Sequence, residues 1–183
     1  MPDTIISNYG LFWRREWVYW GKPSIRGHLK GVLATNTTSE PVDFREQRGV
    51  YVLYDESFRL VYVGQAGAND QQRLFQRLKQ HQYDAIADRW TRFTWYGIRW
   101  VKANNELAEG AQTTHPPIGN VLDHIEAILI TAAEPPHNRQ GGRFGTEAKQ
   151  YLQYRDERLG PEMVEMVREI WEKHKLDQQS DSR

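Results

Sequence analysis

There is no cysteine anywhere in the 183 residues. That excludes a disulfide framework, a thiolate zinc site and a cysteine nucleophile, and it is compatible with a reducing cytosol. No stretch approaches the roughly 18 consecutive apolar residues of a membrane span, and the opening MPDTIISNYG lacks the basic start and apolar run of a secretory leader. A soluble, cytoplasmic protein with no membrane partner is the expectation. Net charge is missing as well: 24 Lys and Arg balance 24 Asp and Glu. No global positive field attracts a polyanion, so any such site must be local. Clustered acids of the two-metal kind are absent. The six histidines (His28, His81, His115, His124, His137 and His174) show no HExxH spacing for zinc.

What is present is apolar and aromatic. Hydrophobic residues make up 39% of the chain and aromatics 12%, with seven tryptophans, too much apolar surface for a disordered protein. The length suits one domain with appendages. Three stretches follow from the pattern: an N-terminal, β-rich extension over 1–48, a central domain over 49–143, and a C-terminal helical extension over 144–183. The expected class is α+β, with a small mixed or antiparallel central sheet of at least three strands flanked by helices.

Within the central stretch, GVYVLY and RLVYVG alternate as strands do and predict a β-hairpin. If Asp55 to Phe58 form the loop, Tyr54 pairs with Arg59 and Tyr51 lies directly opposite Tyr62, so that two phenols share one face. A helix is then expected from QQRLFQRLKQHQ onward to Trp90, with Leu74, Leu78 and Ile86 inward and Arg73, Arg77 and His81 along one ridge at spacings of four. FTWYGIRWVK reads as a further strand and NNELAEGAQTTHPP as a loop. IGNVLDHIEAILITAA reads as a helix with Asn120 as its N-cap. A last helix opens at Pro161 and gathers Met163, Val164, Met166, Val167, Ile170 and Trp171 on one side, a capping face or a homodimer or partner surface. The polar tail from Asp177 frays.

Glu126 is the most informative single residue. At helical spacing it shares a face with Leu122, Ile125, Leu129 and Ile130, where a carboxylate needs a partner. Either a salt bridge at the core edge or a hard divalent ion satisfies it. Arg77 can clamp a phosphate and His81 can shuttle a proton. Each also has an ordinary alternative, a solvated surface arginine and a structural histidine, and the two tyrosines alone are ordinary strand packing.

The series Gly49-Val50-Tyr51, Tyr62-Val63-Gly64, Arg77 four residues before His81, Glu126 within HIEAILI, and Asn138 within PPHNRQ resembles the GIY-YIG nuclease superfamily over residues 48 to 143. The two tripeptides that name the family stand here as GVY and YVG, with valine for isoleucine. The twelve-residue step from Glu126 to Asn138 is similar to that of the excision-repair and restriction-enzyme members. Arg77 rather than Arg73 takes the arginine position because it precedes a histidine by four.

The resemblance implies an endonuclease of restriction, antiphage, mobile-element or repair type, leaving 5′ phosphate and 3′ hydroxyl ends. Its substrate would be DNA, with RNA left open. Glu126 would hold one Mg²⁺ or Mn²⁺, and Tyr51 with Tyr62 or His81 would take the proton of an attacking water. Arg77 would neutralise the phosphoryl oxygens, and Asn138 would fix local structure. The alternative is a catalytically silent nucleic-acid-binding or partner-interaction module on the same scaffold.

Outside the motif, Phe12-Trp13-Arg14-Arg15 with Trp17, Tyr19 and Trp20 either packs on the sheet or stacks on nucleic acid. Residues 17–20 read as a strand. Arg14, Arg15, Lys22, Arg26 and Lys30 make this end net positive, and with Arg73, Lys79 and Arg139 they are the candidate nucleic-acid contacts.

Overall fold

The alternation in GVYVLY and RLVYVG does form a hairpin, of β6 (Gly49–Tyr54) and β7 (Leu60–Ala66), in a computed structural model that describes residues 4–67, 72–111, 116–134, 137 and 141–155. Its register differs from the sequence expectation. Tyr51 faces Gly64, Leu53 faces Tyr62 and Tyr54 faces Leu60, with an irregularity between Leu53 and Tyr54. The cause is the loop. Asp55 Oδ1 accepts from the amides of Ser57 and Arg59, and the Asp55 amide donates to the Arg59 carbonyl, so Arg59 joins the turn instead of pairing with Tyr54. The two tyrosines still share a face, one pair diagonal to each other.

Among the described residues, four strands from outside the central stretch belong to the hairpin's sheet. They are β1 (Asn8–Arg14), β4 (Lys30–Leu33), β5 (Val42–Asp43) and β11 (Lys149–Gln153). With β8 (Arg92–Gly97) they give the order β5-β4-β11-β1-β8-β6-β7. The β1–β11 pairing is parallel and the others are antiparallel, so the sheet is mixed. Residues of all three sequence stretches therefore build one sheet. Two ribbons stand outside it, β2 (Tyr19–Lys22) with β3 (Ile25–His28), and β9 (Arg99–Val101) with β10 (Leu107–Ala111). Trp17, expected in a strand, ends a single 3-10 turn, and Val18 precedes β2.

Each face of the sheet carries its own core. On one side Trp13, Phe44, Tyr51, Leu53, Phe93 and Trp95 pack with Leu74, Phe75 and Leu78 of α1 (Leu74–Gln80). Trp13, at the heart of the aromatic N-terminal run, is 2% exposed and donates its indole N–H to the Tyr151 carbonyl, which places it in packing. On the other side Val52, Tyr54 and Tyr96 meet Ala127 and Ala132 of α2 (Ile118–Ala133), with Phe144 beside them.

Three further elements depart from the sequence reading. The expected long helix is only α1, followed by turns to residue 89. The Asp84 carboxylate takes the Ile86 amide and the Trp90 indole takes the His81 carbonyl, both competitors of a continuing helix. The expected single strand divides at Ile98, whose amide turns to the Arg48 carbonyl, and part of the expected loop pairs as β10. Helix α2 is capped by Pro117 rather than Asn120. The predicted helix from Pro161, the tail from Asp177, and Asn138 and Arg139 lie outside the described residues. No helix among the described residues is long and apolar enough to cross a membrane.

Candidate functional site

Four of the six expected site residues converge on the α1 face of the sheet. Tyr51 projects from β6 into the space above Gly64, where an added Cβ would stand 2.4 Å from the phenol oxygen; glycine at this position is what admits the ring. The Tyr51 hydroxyl lies 2.9 Å from Nε2 of His81. His81 caps the C-terminal end of α1, and Tyr62 on β7 brings its ring within 4.7 Å of the imidazole and 6.1 Å of the Tyr51 ring. Arg77, one turn before His81, donates to the side-chain oxygens of Gln72 and Gln80 and interacts with the Tyr51 hydroxyl.

A fifth residue completes the arrangement. Nδ1 of His81 lies 2.6 Å from Oδ2 of Asp84. A carboxylate at Nδ1 fixes the proton there, which leaves the Nε2 lone pair to accept from the Tyr51 hydroxyl. Burial pushes the Tyr51 phenol up to about 12, against the pull of the Arg77 guanidinium and with Tyr62 adding to the rise. It is thus a protonated donor at neutral pH. For Asp84 burial works upward, yet the Ile86 amide and the His81 ring outweigh it and hold the carboxyl below its ordinary range. The result is a hydroxyl–imidazole–carboxylate relay.

Exposure distinguishes the members. Tyr51 is wholly buried and His81 nearly so, while Tyr62 and Arg77 are half-buried and form the side of the cluster open to an incoming group. Asp84 was not among the residues singled out from sequence. Its signal was the spacing HQYD, which places a carboxylate three residues after a histidine.

Glu126 is not brought to this cluster. Its helix lies on the opposite face, anchored where the Tyr54 hydroxyl donates to the Ala132 carbonyl (2.8 Å) and the Tyr96 hydroxyl meets Thr131 Oγ1 (2.6 Å). The helix is also rotated from the expected orientation. His124, Ala127 and Ala132 face inward; the two alanines allow a close approach, and Gly142 sits where a Cβ would strike the Ala127 backbone. Leu122, Ile125 and Leu129 are consequently exposed, and so is Glu126. Among the described residues Glu126 forms no core salt bridge, and it is not a buried carboxylate. Glu126 instead lines a cavity of about 810 Å³ with Asp123, His124, His137 and Phe144. Its neighbour His124 is already engaged, Nδ1 with the Asn120 carbonyl and Nε2 with Thr4. Among the described residues no group of three or more metal-ligating side chains forms. A metal at Glu126 and a phosphate at Arg77 therefore do not make a single centre in this arrangement.

The other candidate nucleic-acid contacts are dispersed. Arg14 pairs with Glu16 at 3.1 Å and lies over Trp17, and Arg15 stacks on Trp90 and donates to the Ala87 carbonyl. Arg26 pairs with Glu46, and Lys79 donates to the Trp20 carbonyl. Lys22 ends β2 and Lys30 opens β4, two elements apart. Arg73 precedes α1. No family model matches the chain, and no match was found among curated proteins or solved structures.

Proposed function

We propose that the chain is a GIY-YIG-type endonuclease that hydrolyses phosphodiester bonds in DNA and requires Mg²⁺ or Mn²⁺. The observation that carries this reading is the convergence of Tyr51, Tyr62, Arg77 and His81 on one face, in the order and on the elements that the motif resemblance implies. Arg77 has the geometry to neutralise charge on a phosphoryl group arriving beside Tyr62. A proton taken from the nucleophilic water by Tyr51 is matched by release of the Tyr51 proton to Nε2 of His81, and Asp84 stabilises the imidazolium that forms. This route avoids a free phenolate, which a phenol at about 12 would resist. The divalent ion belongs to the motif resemblance, with Glu126 its named ligand. That carboxylate lies on α2, across the sheet from the Tyr51–His81 pair.

Two observations favour the alternative, a binding module without turnover: the full burial of Tyr51 and the separation of Glu126 from the cluster. Cleavage time courses on supercoiled plasmid and on short single-stranded DNA decide between them, run with Mg²⁺, Mn²⁺ or EDTA. Metal-dependent cutting by the wild type that disappears in both His81→Ala and Glu126→Ala supports the nuclease. Binding without cutting on either substrate supports the module. Cutting that survives Glu126→Ala but not His81→Ala removes Glu126 from the site.

A further inference from the structure

One corner of the fold, beside the tyrosine pair, concentrates positive charge. Its centre is Gln47, 1% exposed. The Gln47 Oε1 accepts from the amides of Arg48 and Arg99, both at 3.0 Å, and its Nε2 donates to the Arg99 carbonyl at 2.9 Å. Its backbone carbonyl accepts from the Leu74 amide at 3.0 Å. Three segments that each carry an arginine are thereby joined: Arg48 just before β6, Arg99 at the start of β9, and Arg73 just before α1.

Arg99 and Arg48 are held differently. Arg99 is fixed by backbone, with Nε donating to the Ala108 carbonyl and Nη1 to the Glu46 carbonyl at 2.7 Å. Burial, then the charges of Arg48 and Arg73, lower its affinity for its proton, with Glu46 and Glu109 working the other way. The stem of Arg48 rests against Gly67, where an added Cβ would come within 2.5 Å of its Cγ. Its guanidinium makes no hydrogen bond or ion pair among the described residues, and its Nε is shielded from water. Its terminal nitrogens, on a half-buried side chain, are neither shielded nor bonded among the described residues, which leaves them open to an anionic acceptor. The nearby acids do not fill the role: Glu46 pairs with Arg26 at 2.9 Å, and Glu109 is exposed on β10.

The corner adjoins the candidate site. Gly49, next to Arg48, pairs with Ala66, two residues along β7 from the Gly64 that faces Tyr51, roughly 7 Å of strand. Arg73 is one turn from Arg77, whose amide donates to its carbonyl at 3.0 Å.

We propose that Arg48, Arg73 and Arg99 form a phosphate-binding subsite that holds the nucleic-acid backbone beside Tyr62 and Arg77. The choice of polymer rests on the nuclease reading; the recognition of phosphate does not. Guanidinium groups suit the task because their planar donor forks match phosphate oxygens.

The test uses the full chain and Arg48→Gln, with Arg48→Lys as the variant that keeps the charge. Inorganic phosphate, against chloride at equal ionic strength, raises the melting temperature of the wild type, and Arg48→Gln loses most of that rise. Without phosphate Arg48→Gln melts no lower than wild type, because a repelling charge has gone. In EDTA, binding of a labelled single-stranded oligonucleotide weakens about threefold to tenfold, and the slope against log salt falls by about 0.7 for the one lost contact. Arg48→Lys recovers the slope, which separates charge from folding. Equal phosphate response and equal salt slopes in wild type and Arg48→Gln overturn the subsite, and do so while leaving the nuclease intact if both still cut. A phosphate response lost in Arg48→Gln, in a protein that binds no oligonucleotide, supports the anion site and removes the nuclease reading.

Discussion

Tyr51 and Tyr54 stand three positions apart on one strand, both essentially inaccessible and both pushed up to about 12 by burial. They differ in what receives the hydroxyl. Tyr54, on the α2 face, donates to a backbone carbonyl that cannot accept a proton outright; Tyr51, on the α1 face, meets an imidazole whose other nitrogen is already held by a carboxylate. Burial and pKa are therefore no guide to which tyrosine can act. The titratable partner is, since only there does a proton have somewhere to go. Both faces hold a helix, but only the α1 face sets a titratable ring beside its buried phenol.

The largest expected difference is between Tyr51→Phe and Tyr54→Phe. On the nuclease proposal, cleavage rates measured with a plasmid substrate fall about 100-fold or more in Tyr51→Phe and stay near wild type in Tyr54→Phe. Urea midpoints complement this: Tyr54→Phe loses about 1 kcal/mol because the Ala132 carbonyl loses its donor. Equal loss of activity in both variants would erase the distinction between the faces.

A smaller effect tests the packing that admits the Tyr51 ring. Gly64→Ala puts a methyl into the phenol and costs about 1–3 kcal/mol by urea titration, whereas Gly110→Ala, with nothing within 4 Å of the new carbon, stays within about 0.5 kcal/mol. A neutral Gly64→Ala would mean that Tyr51 readily vacates this position.

The smallest effect is the pH dependence of stability. Both phenols hold their protons more tightly when folded, so their contribution is complete below pH 10 and is lost as pH rises from 10 through about 12. Either phenylalanine variant makes that alkaline loss shallower. Asp84 has the opposite sign. Its lowered carboxyl contributes above its ordinary 3.8 and loses that contribution as pH falls below it, so Asp84→Asn flattens the acid limb of the urea midpoint against pH.

The hairpin, the shared face of Tyr51 and Tyr62, and the placement of Arg77 and His81 one turn apart were legible because they depend on periodicities of two and 3.6. The one-pair shift in register was not, because it arises in side-chain hydrogen bonds of Asp55. Asp84 escaped for a related reason: the amphipathic pattern continues to Ile86, and a side chain that stops a helix leaves that pattern intact. The orientation of α2 misled most. Its apolar stripe suggested the buried side, whereas Ala127 and Ala132 with the hydroxyls of Tyr54 and Tyr96 chose the other.

Strand β11 has a consequence for how the chain is made. Lys149–Gln153 fills the gap between β1 and β4, the first of which begins at Asn8. Until these late residues leave the ribosome, two of the earliest strands cannot be joined, and each presents a row of unpaired amides and carbonyls to any neighbouring chain. Completion of the sheet waits on β11, the last strand among the described residues, and topology of this kind slows folding because distant segments must meet before the core closes.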